Sequence, residues 1–357
     1  MRIAEVAPLY ESVPPKLYGG TERVVSYLTE ELVRQGHDVT LFASGDSQTS
    51  AALVPICDRA LRLSAATDPL SHHVRMIELV FQQARSYDVI HFHLDYIHFP
   101  LLRRIAVPNL TTLHGRLDIS DLDPLYREFR DMPVVSISDA QRAPLWWANW
   151  QATVYHGLPL ELYRPSVQPG EYLAFLGRIS PEKRLDRAIE IAERVGMPLR
   201  VAAKVDPADW DYFREVIEPM LKASTLTEFI GEIGDREKDA FLGNAIAMIF
   251  PIDWPEPFGL AMIEAMACGT PVLAFRRGSV PEIVDEGVTG IIVDNVEEAV
   301  ASVGRIQRIS RRECRRRFEE RFSVTRMARD YAAVFASIAA AIPAGAYAWR
   351  GENLDRG

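Results

Sequence analysis

The sequence has 357 residues, 48% of them hydrophobic and 25% charged, which is the balance of a globular protein and a length that predicts two domains. Its net charge of −9 argues against a general nucleic-acid-binding protein, which needs a basic surface. Three scattered cysteines (Cys57, Cys268, Cys314) and no stretch near 18 apolar residues indicate a cytoplasmic protein that does not span a membrane, with a peripheral contact at the inner membrane face left open.

The first half alternates short apolar segments with helical patterns. Apolar runs predict strands at 2–7, 38–43, 88–93, 109–113 and 134–137. Between the first two strands, a loop rich in proline and glycine precedes a helix that begins at Thr21 and ends at Gly36. Strands alternating with helices predict a parallel sheet covered on both faces.

The same alternation begins again after a segment rich in glycine and proline at 155–165, which we interpret as a linker. Strands are predicted at 172–176, 198–203, 228–230, 247–250, 271–274 and 290–293, and helices at 181–195 and 260–267. We therefore predict an α/β protein with two doubly wound Rossmann-like domains, 1–165 and 166–323, facing a cleft. Ligands of such sheets bind beyond the carboxyl ends of the strands.

The segment PEPFGLAMIEAMACGTPV (255–272) is the most informative one. After a strand it begins a helix at Leu260, where unpaired N–H groups attract an anion and Gly259 permits close approach of a phosphate. Glu256 and Glu264 flank this helix start, and carboxylates accept hydrogen bonds from sugar hydroxyls. The alternative is that they are surface acids, which helix N-termini favour in any case.

The segment FLGRISPEKRLD (175–186) follows another strand. Arg178 and Lys183, the latter at the start of a helix, can converge at the strand end, hold a diphosphate and stabilise the charge that develops when it leaves. The alternative is ordinary exposed basic residues, and we favour that interpretation for Arg184 and Arg187.

Two N-terminal segments are weaker candidates. In YGGTE (18–22), the adjacent Gly19 and Gly20 can surround a phosphate with backbone amides, although such a pair is more often a simple turn. In TTLHGR (111–116), His114 lies just past a strand and could bond a sugar hydroxyl or a phosphate oxygen, and Asp95 is a similar candidate.

A histidine cluster, His91, His93 and His98, alternates like the two faces of a strand. Since no carboxylate pattern accompanies these histidines, we predict no metal site there.

Taken together, these segments resemble glycosyltransferase family 4, the retaining group with the GT-B fold, over about residues 1 to 340. Glu256 to Glu264 matches its E-x7-E motif, GRISPEK its diphosphate motif, GGTE its glycine loop, and LHG the loop with its sugar-contacting histidine.

The resemblance implies a role for each matching residue. His114, Arg178, Lys183 and Glu256 are the implied catalytic residues, with Glu256 holding the donor sugar, Glu264 the ribose, and Arg178 and Lys183 the diphosphate. The implied donor-binding residues are Gly19, Gly20, Phe229, Ile230, Gly231, Ile233, Phe258, Gly259, Leu260, Ala261 and Glu264. The final helix, 324–345, is expected to pack back on the N-terminal domain.

The resemblance also implies an activity. We expect a retaining hexosyltransferase (EC 2.4.1.-), independent of metal and cofactor, with UDP-glucose as the first expected donor and GDP-mannose as the second. The acceptor is a glycan, a lipid-linked sugar or a small molecule, and the loops 45–70 and 115–131 are expected to select it. The linker departs from the family pattern, since His156 stands where many relatives have Asn.

Other functions stay open at this point. A nucleotide-sugar epimerase or hydrolase on the same fold, or a non-catalytic nucleotide-sugar-binding protein, fits many of the same residues. A Rossmann dehydrogenase does not fit, because no GxGxxG follows the first strand.

Overall fold

The computed structural model describes residues 1–16, 19–64, 66–168 and 170–341. The chain forms two compact units, and each is described by itself. Unit 1 comprises Met1–Gly157 and the chain from Val324 onward, and unit 2 comprises Leu158–Ser323.

Unit 1 contains a parallel sheet of seven strands in the order β3-β2-β1-β4-β5-β6-β7. Its strands are β1 (Arg2–Val6), β2 (Asp38–Ala43), β3 (Ala52–Pro55), β4 (Val89–Phe92), β5 (Asn109–Thr112), β6 (Val134–Ser136) and β7 (Trp150–Thr153). Its helices are α1 (Gly20–Arg34), α2 (Pro69–Gln83), α3 (Phe99–Leu102), α4 (Leu122–Glu128), α5 (Asp139–Arg142) and, from the end of the chain, α14 (Val324–Ala341).

Unit 2 contains a parallel sheet of six strands in the order β10-β9-β8-β11-β12-β13. Its strands are β8 (Tyr172–Ile179), β9 (Leu199–Val205), β10 (Thr227–Gly231), β11 (Ala245–Phe250), β12 (Val272–Phe275) and β13 (Gly290–Val293). Its helices are α6 (Leu185–Val195), α7 (Trp210–Tyr212), α8 (Glu218–Ala223), α9 (Asp235–Gly243), α10 (Leu260–Ala267), α11 (Val280–Ile283), α12 (Val296–Ile306) and α13 (Arg311–Arg321).

The two sheets share a topology that locates their binding edges. In unit 1 the strand order reverses between β1 and β4, and in unit 2 between β8 and β11. Crevices beyond the carboxyl ends of the strands at such a reversal are where doubly wound sheets bind ligands. The predicted segments follow β1, β5, β8 and β11, so each lies at or next to a reversal.

Apolar periodicity explains the helices that cover these sheets. In α6, Leu185, Ala188, Ile189 and Ala192 recur at helical spacing and are all buried in the core of unit 2. The helix ends where Gly196 adopts a left-handed conformation with φ of 66°. The predicted fold class, α/β with two Rossmann-like domains of the GT-B type, is confirmed.

Three details differ from the sequence prediction. The half-exposed edge strands β3 and β7, each only four residues long, were not predicted. The segment predicted as a linker belongs to unit 2 from Leu158 onward, because Arg315 donates to the carbonyls of Leu160 and Tyr163 at 2.6 and 2.9 Å. The division therefore falls after Gly157 and not near residue 165.

The last described helix, α14, belongs to unit 1. The Tyr331 hydroxyl lies 2.9 Å from Thr112 Oγ1 of β5, and Arg326 donates to the carbonyls of Tyr155 and His156 at 2.6 and 3.0 Å. Residues 342–345 of the predicted helix lie outside the described residues. Within the part of the chain that the structure describes, no helix is both long and apolar enough to cross a bilayer.

Candidate functional site

In unit 2, the start of α10 lies just beyond β11. Gly259 precedes the helix with φ of 83° and ψ of 67°, a left-handed conformation that favours glycine. A Cβ atom there would lie 2.5 Å from Cε of Met262. A glycine at this position offers no side-chain acceptor, so the first N–H groups of the helix remain suited to an anion. Phe258 is buried, and Leu260 and Ala261 are half-buried.

Lys183 and Glu256 form an ion pair next to this helix start. Trp254 donates its indole N–H to the same carboxylate oxygen of Glu256 at 2.8 Å. The ammonium of Lys183 also lies 5.0 Å from the Trp254 ring centroid and 5.6 Å from that of Phe250. Because Glu256 is only 7% exposed, this arrangement fixes both charged groups in a largely dry environment.

The sequence pattern predicted that Lys183 lies at the start of a helix, but it does not. It lies in a turn, where its N–H donates to the carbonyl of Ser180 at 3.1 Å, and α6 begins only at Leu185. The cause is Arg184, which adopts a left-handed conformation with φ of 54° and is held there by Asp186 and Asp253 at 2.7 and 3.0 Å.

Arg178 lies near the end of β8, with its Nε 3.3 Å from Oδ2 of Asp209. The pKa of Glu182 shows that Arg178 and Lys183 lie near the same carboxylate. Burial alone would raise the pKa of Glu182, but its own backbone, the Ser180 hydroxyl and the charges of Arg178 and Lys183 lower it. Both cations are therefore within electrostatic reach of one carboxylate.

The second predicted carboxylate, Glu264, also has a lysine partner. Glu264 is 4% exposed, and its Oε1 lies 2.8 Å from Nζ of Lys238 on α9 and 3.3 Å from the Tyr163 hydroxyl. No local pattern pointed to Lys238 or Tyr163, which lie 26 and 101 residues from Glu264 in the sequence. Each end of the E-x7-E segment is thus a buried carboxylate paired with a lysine.

The predicted base-binding segment ends strand β10. Phe229 and Ile230 are 37% and 39% exposed, and Gly231 adopts a left-handed conformation with φ of 83°. Ile233 follows, half-buried. The strand end thus offers exposed apolar side chains, which suit a planar heterocycle.

In unit 1, the glycine pair lies at the start of α1. Gly19 has φ of 154° and a Cβ there would lie 2.8 Å from Cβ of Pro15, and Gly20 is the first residue of the helix. Tyr18 of the predicted motif lies outside the described residues. Asp95 follows β4 in a left-handed conformation with φ of 52°.

His114, which follows β5, is joined to a buried cluster. Its Nε2 lies 2.8 Å from Nδ1 of His93, and Nε2 of His93 lies 2.8 Å from Glu5. His91 bonds the other oxygen of Glu5 through Nδ1 at 3.1 Å and the Thr112 hydroxyl through Nε2 at 2.7 Å. Glu5, His91 and His93 are all buried.

The expectation that no carboxylate accompanies the histidines was wrong. Glu5 of β1 is the direct neighbour of His91 in the parallel pairing of β1 with β4, so the fold supplies a carboxylate that lies 86 residues away in sequence. Glu5, His91 and His93 have ligand atoms within 4.8 Å of one another. His98 is separate and bonds Thr111 at 2.8 Å.

Burial decides the charge states in this cluster. It lowers the pKa of His93 to about 4, that of His156 to about 3 and that of His114 well below its ordinary value. Burial acts to raise the pKa of Glu5, but the charges and hydrogen bonds of His91 and His93 outweigh it and lower the pKa to about 2. At neutral pH, Glu5 is a carboxylate and His93 and His114 are uncharged.

Comparison of the chain with known protein families shows to which family it belongs. The family described as Glycosyltransferase Family 4 matches residues 18–158, and the one described as Glycosyl transferases group 1 matches residues 165–323. The chain belongs to glycosyltransferase family 4. Its two family matches fall on unit 1 and unit 2, respectively.

Curated relatives of this family 4 glycosyltransferase cover most of its length. The glycogen synthase of Mycobacterium tuberculosis (strain H37Rv) is 27% identical over 82% of each chain. The D-inositol 3-phosphate glycosyltransferase of Mycolicibacterium smegmatis is 24% identical over 77% of this chain and 75% of the relative.

Solved structures share the fold of this glycosyltransferase. The sucrose-phosphate synthase of Thermosynechococcus elongatus has a TM-score of 0.78 at 19% identity and covers 96% of this chain and 100% of the other. Anabaena Alr3699/HepE, solved in complex with UDP and glucose, has a TM-score of 0.72 at 18% identity and covers 94% and 100%.

Proposed function

We propose that this glycosyltransferase moves a hexose from a nucleotide-diphosphate sugar, with UDP-glucose as the first candidate donor and GDP-mannose as the second, and retains the α configuration. The acceptor is a glycan, a lipid-linked sugar or a small molecule. The names of relatives, a glycogen synthase and a D-inositol 3-phosphate glycosyltransferase, support a glycan or a small phosphorylated molecule as acceptor, and the UDP-glucose complex of Alr3699/HepE supports the donor. We propose that the protein acts in the cytoplasm.

One observation carries the proposal: two buried carboxylates, Glu256 before the glycine-led start of α10 and Glu264 within this helix, are each paired with a lysine, Lys183 and Lys238 respectively. A helix start with nearby cations suits a pyrophosphate, and flanking carboxylates suit the hydroxyls of the sugar and the ribose. We assign the hexose to Glu256, the ribose to Glu264 and the base to the strand end 229–233.

We propose front-face displacement as the mechanism. The acceptor hydroxyl attacks the anomeric carbon on the side from which the diphosphate leaves, and a phosphate oxygen takes its proton. Arg178, Lys183 and the N–H groups at the start of α10 stabilise the charge on the leaving diphosphate. The remaining contribution of the protein is to position the two substrates. With these cations in place, we propose that no metal ion is needed.

A thermal-shift panel of nucleotide sugars tests the donor. UDP-glucose at one hundred times its dissociation constant is expected to stabilise the protein by about 2.7 kcal/mol, because it binds only the folded state. GDP-mannose and NAD serve as comparisons. The anomeric configuration of the transfer product is then read by NMR, with and without EDTA.

The proposal has clear failure outcomes. Release of free hexose and nucleotide in the presence of every acceptor class would identify a hydrolase. A β-linked product would exclude retention, and activity that EDTA removes and Mg²⁺ or Mn²⁺ restores would exclude metal independence. No stabilisation by any nucleotide sugar would overturn the donor assignment.

A further inference from the structure

A continuous chain of buried hydrogen bonds leads from α14 to His114. It runs from the Tyr331 hydroxyl to Thr112 (2.9 Å), to His91 (2.7 Å), to Glu5 (3.1 Å), to His93 (2.8 Å) and finally to His114 (2.8 Å). We call these six residues the histidine relay. They come from β1, β4 and the residue that follows it, β5 and the loop that follows it, and α14, so only the folded sheet assembles them.

The carboxylate of Glu5 determines the direction of three bonds in the histidine relay, the two that it accepts and the one between His93 and His114. A carboxylate can only accept, so His91 donates from Nδ1 and His93 donates from Nε2. An uncharged imidazole carries one proton, so Nδ1 of His93 must accept, and Nε2 of His114 must donate to it. His114 is then left with an unprotonated Nδ1.

That Nδ1 atom is the open end of the histidine relay. It is buried and has no hydrogen-bond partner among the described residues, while the residue as a whole is half-buried. A buried acceptor without a donor is unfavourable, because it has lost its hydrogen bonds to water without gaining one in the protein. A ligand that brings a hydroxyl to this atom removes that cost, whereas a phosphate oxygen, which is itself an acceptor, does not.

We propose that Glu5 and His93 are positioning residues that hold His114 with Nδ1 as a hydrogen-bond acceptor, so that it binds a hydroxyl of the substrate sugar and not a phosphate oxygen. This inference rests on the proposed function for the identity of the ligand, but the proton positions follow from the histidine relay itself. In this arrangement His114 neither carries charge nor donates a proton to the leaving group.

A metal ion on Glu5, His91 and His93 is the competing interpretation, and the geometry disfavours it. Both carboxylate oxygens and all four ring nitrogens already have hydrogen-bond partners at 2.7–3.1 Å. A divalent ion would displace the protons on both histidines and leave a net positive charge in a fully buried position, with no second carboxylate in the group.

Nitrogen NMR of the full-length protein tests the proton positions directly. In ¹⁵N-histidine-labelled wild type, two-bond ¹H–¹⁵N couplings are expected to show His114 protonated on Nε2, uncharged from pH 5 to 8, with a His114→Ala variant giving the assignment. A proton on Nδ1, or titration of His114 in this range, would overturn the proposal. So would one bound metal ion per chain in elemental analysis.

Three variants separate positioning from packing. His93→Phe removes both bonds, His93→Gln offers one donor and one acceptor in similar places, and His98→Phe makes the same change at a buried histidine outside the histidine relay. We expect His93→Phe to lose the fixed tautomer and roughly 10- to 100-fold in kcat, the range for partners that orient a functional histidine. His93→Gln is expected to retain both, and His98→Phe to resemble wild type.

Donor analogues test what His114 binds. Each sugar hydroxyl in turn is replaced by hydrogen or by fluorine, which accepts but does not donate. At the hydroxyl that meets His114, both replacements are expected to reduce kcat/KM equally in wild type and to have little effect in His114→Ala. If fluorine preserves activity at every position, or if His93→Gln is as impaired as His93→Phe, the proposal is wrong.

The two proposals can fail separately. A protein that transfers no sugar from any donor, yet shows the Nε2-protonated His114, would refute the proposed function and preserve the histidine relay. An active transferase with the opposite tautomer would refute only the histidine relay. If His93→Phe does not fold, the wild-type spectrum and the analogue series still decide the question.

Discussion

Lys183 and Arg187 lie one helical turn apart in sequence, have similar side-chain exposures of 20% and 19%, and each pairs with a carboxylate. Of the two, only Lys183 contacts Glu256, which precedes the start of α10. Arg187 pairs instead with Asp253, which also contacts Arg184 and Arg277. The two residues therefore form a matched pair for a test of function.

Lys183→Ala is expected to lower kcat by about 10²- to 10³-fold, the usual loss when one group that stabilises developing charge is removed. Arg187→Ala is expected to leave kcat within a few-fold of wild type. Steady-state kinetics of both variants, with melting temperatures to exclude unfolding, make the comparison. Equal losses in the two variants would assign Lys183 a structural role.

The residue scale also shows what sequence could and could not predict. Glu256, Glu264 and Lys183 were predicted because the site-forming segments are local, each a strand end followed by a turn. The pairing of Lys183 with Glu256 and of Lys238 with Glu264, and the contacts of Glu5 with His91 and His93, depend on tertiary structure. No local sequence pattern predicts that Glu5 contacts His91 and His93, which lie 86 and 88 residues further along the chain.

At the scale of elements, the position of Gly259 determines where α10 begins. A left-handed conformation costs a residue with a side chain roughly 1–2 kcal/mol, and here a Cβ atom would also contact Met262. Gly304 offers a control, because it lies within α12 and a Cβ atom there would have no neighbour within 4 Å.

Gly259→Ala is therefore expected to destabilise unit 2 by about 1–2 kcal/mol and to weaken donor binding, because the N–H groups of the helix start shift. Gly304→Ala is expected to stabilise it by about 0.4–1 kcal/mol and to leave donor binding unchanged. Calorimetry detects both, since 1 kcal/mol moves the melting temperature of a unit of this size by roughly 2–4 °C. Stabilisation by Gly259→Ala would contradict the assigned conformation.

Buried strands were predicted and the two half-exposed edge strands of unit 1 were not. Buried strands such as β11 and β12 carry continuous apolar runs, which mark parallel sheets covered on both faces. The edge strand β7 mixes polar with apolar residues, and the edge strand β3 is apolar but only four residues long. The start of α6 was misplaced because a left-handed arginine is fixed by ion pairs that only the folded unit provides.

At the scale of the whole molecule, the histidines are distributed unevenly. All eight lie within the first 157 residues, in unit 1, and unit 2 has none. Burial lowers the pKa of His93 to about 4, lowers those of His98 and His156 to about 3, and lowers that of His114. Unfolded histidines have an ordinary pKa of about 6.5.

Acidification is therefore expected to destabilise unit 1 selectively. Between pH 6.5 and about 4 the unfolded chain binds more protons than the folded one, so stability falls as the pH falls, by up to about 1.4 kcal/mol per pH unit for each such histidine. Native-state hydrogen exchange at pH 7 and pH 5 measures the two units separately. His98→Gln removes one of these groups and is expected to make the decline shallower.

A uniform loss of protection in both units over this pH range would contradict the prediction. Glu5 does not contribute to a loss of protection between pH 7 and pH 5, because its contribution to stability is lost only as the pH falls below about 4.5 toward its folded pKa of about 2.

Because α14 follows unit 2 in the chain, unit 1 cannot be completed before unit 2 has been synthesised. A ribosome delivers strands β1 to β7 first, yet the face that Tyr331 and Phe335 cover stays open until α14 has emerged. Unit 2 is encoded as one uninterrupted stretch that ends at Ser323, directly before α14 begins. The nascent amino-terminal half therefore depends on chaperones or on its own solubility throughout the synthesis of unit 2.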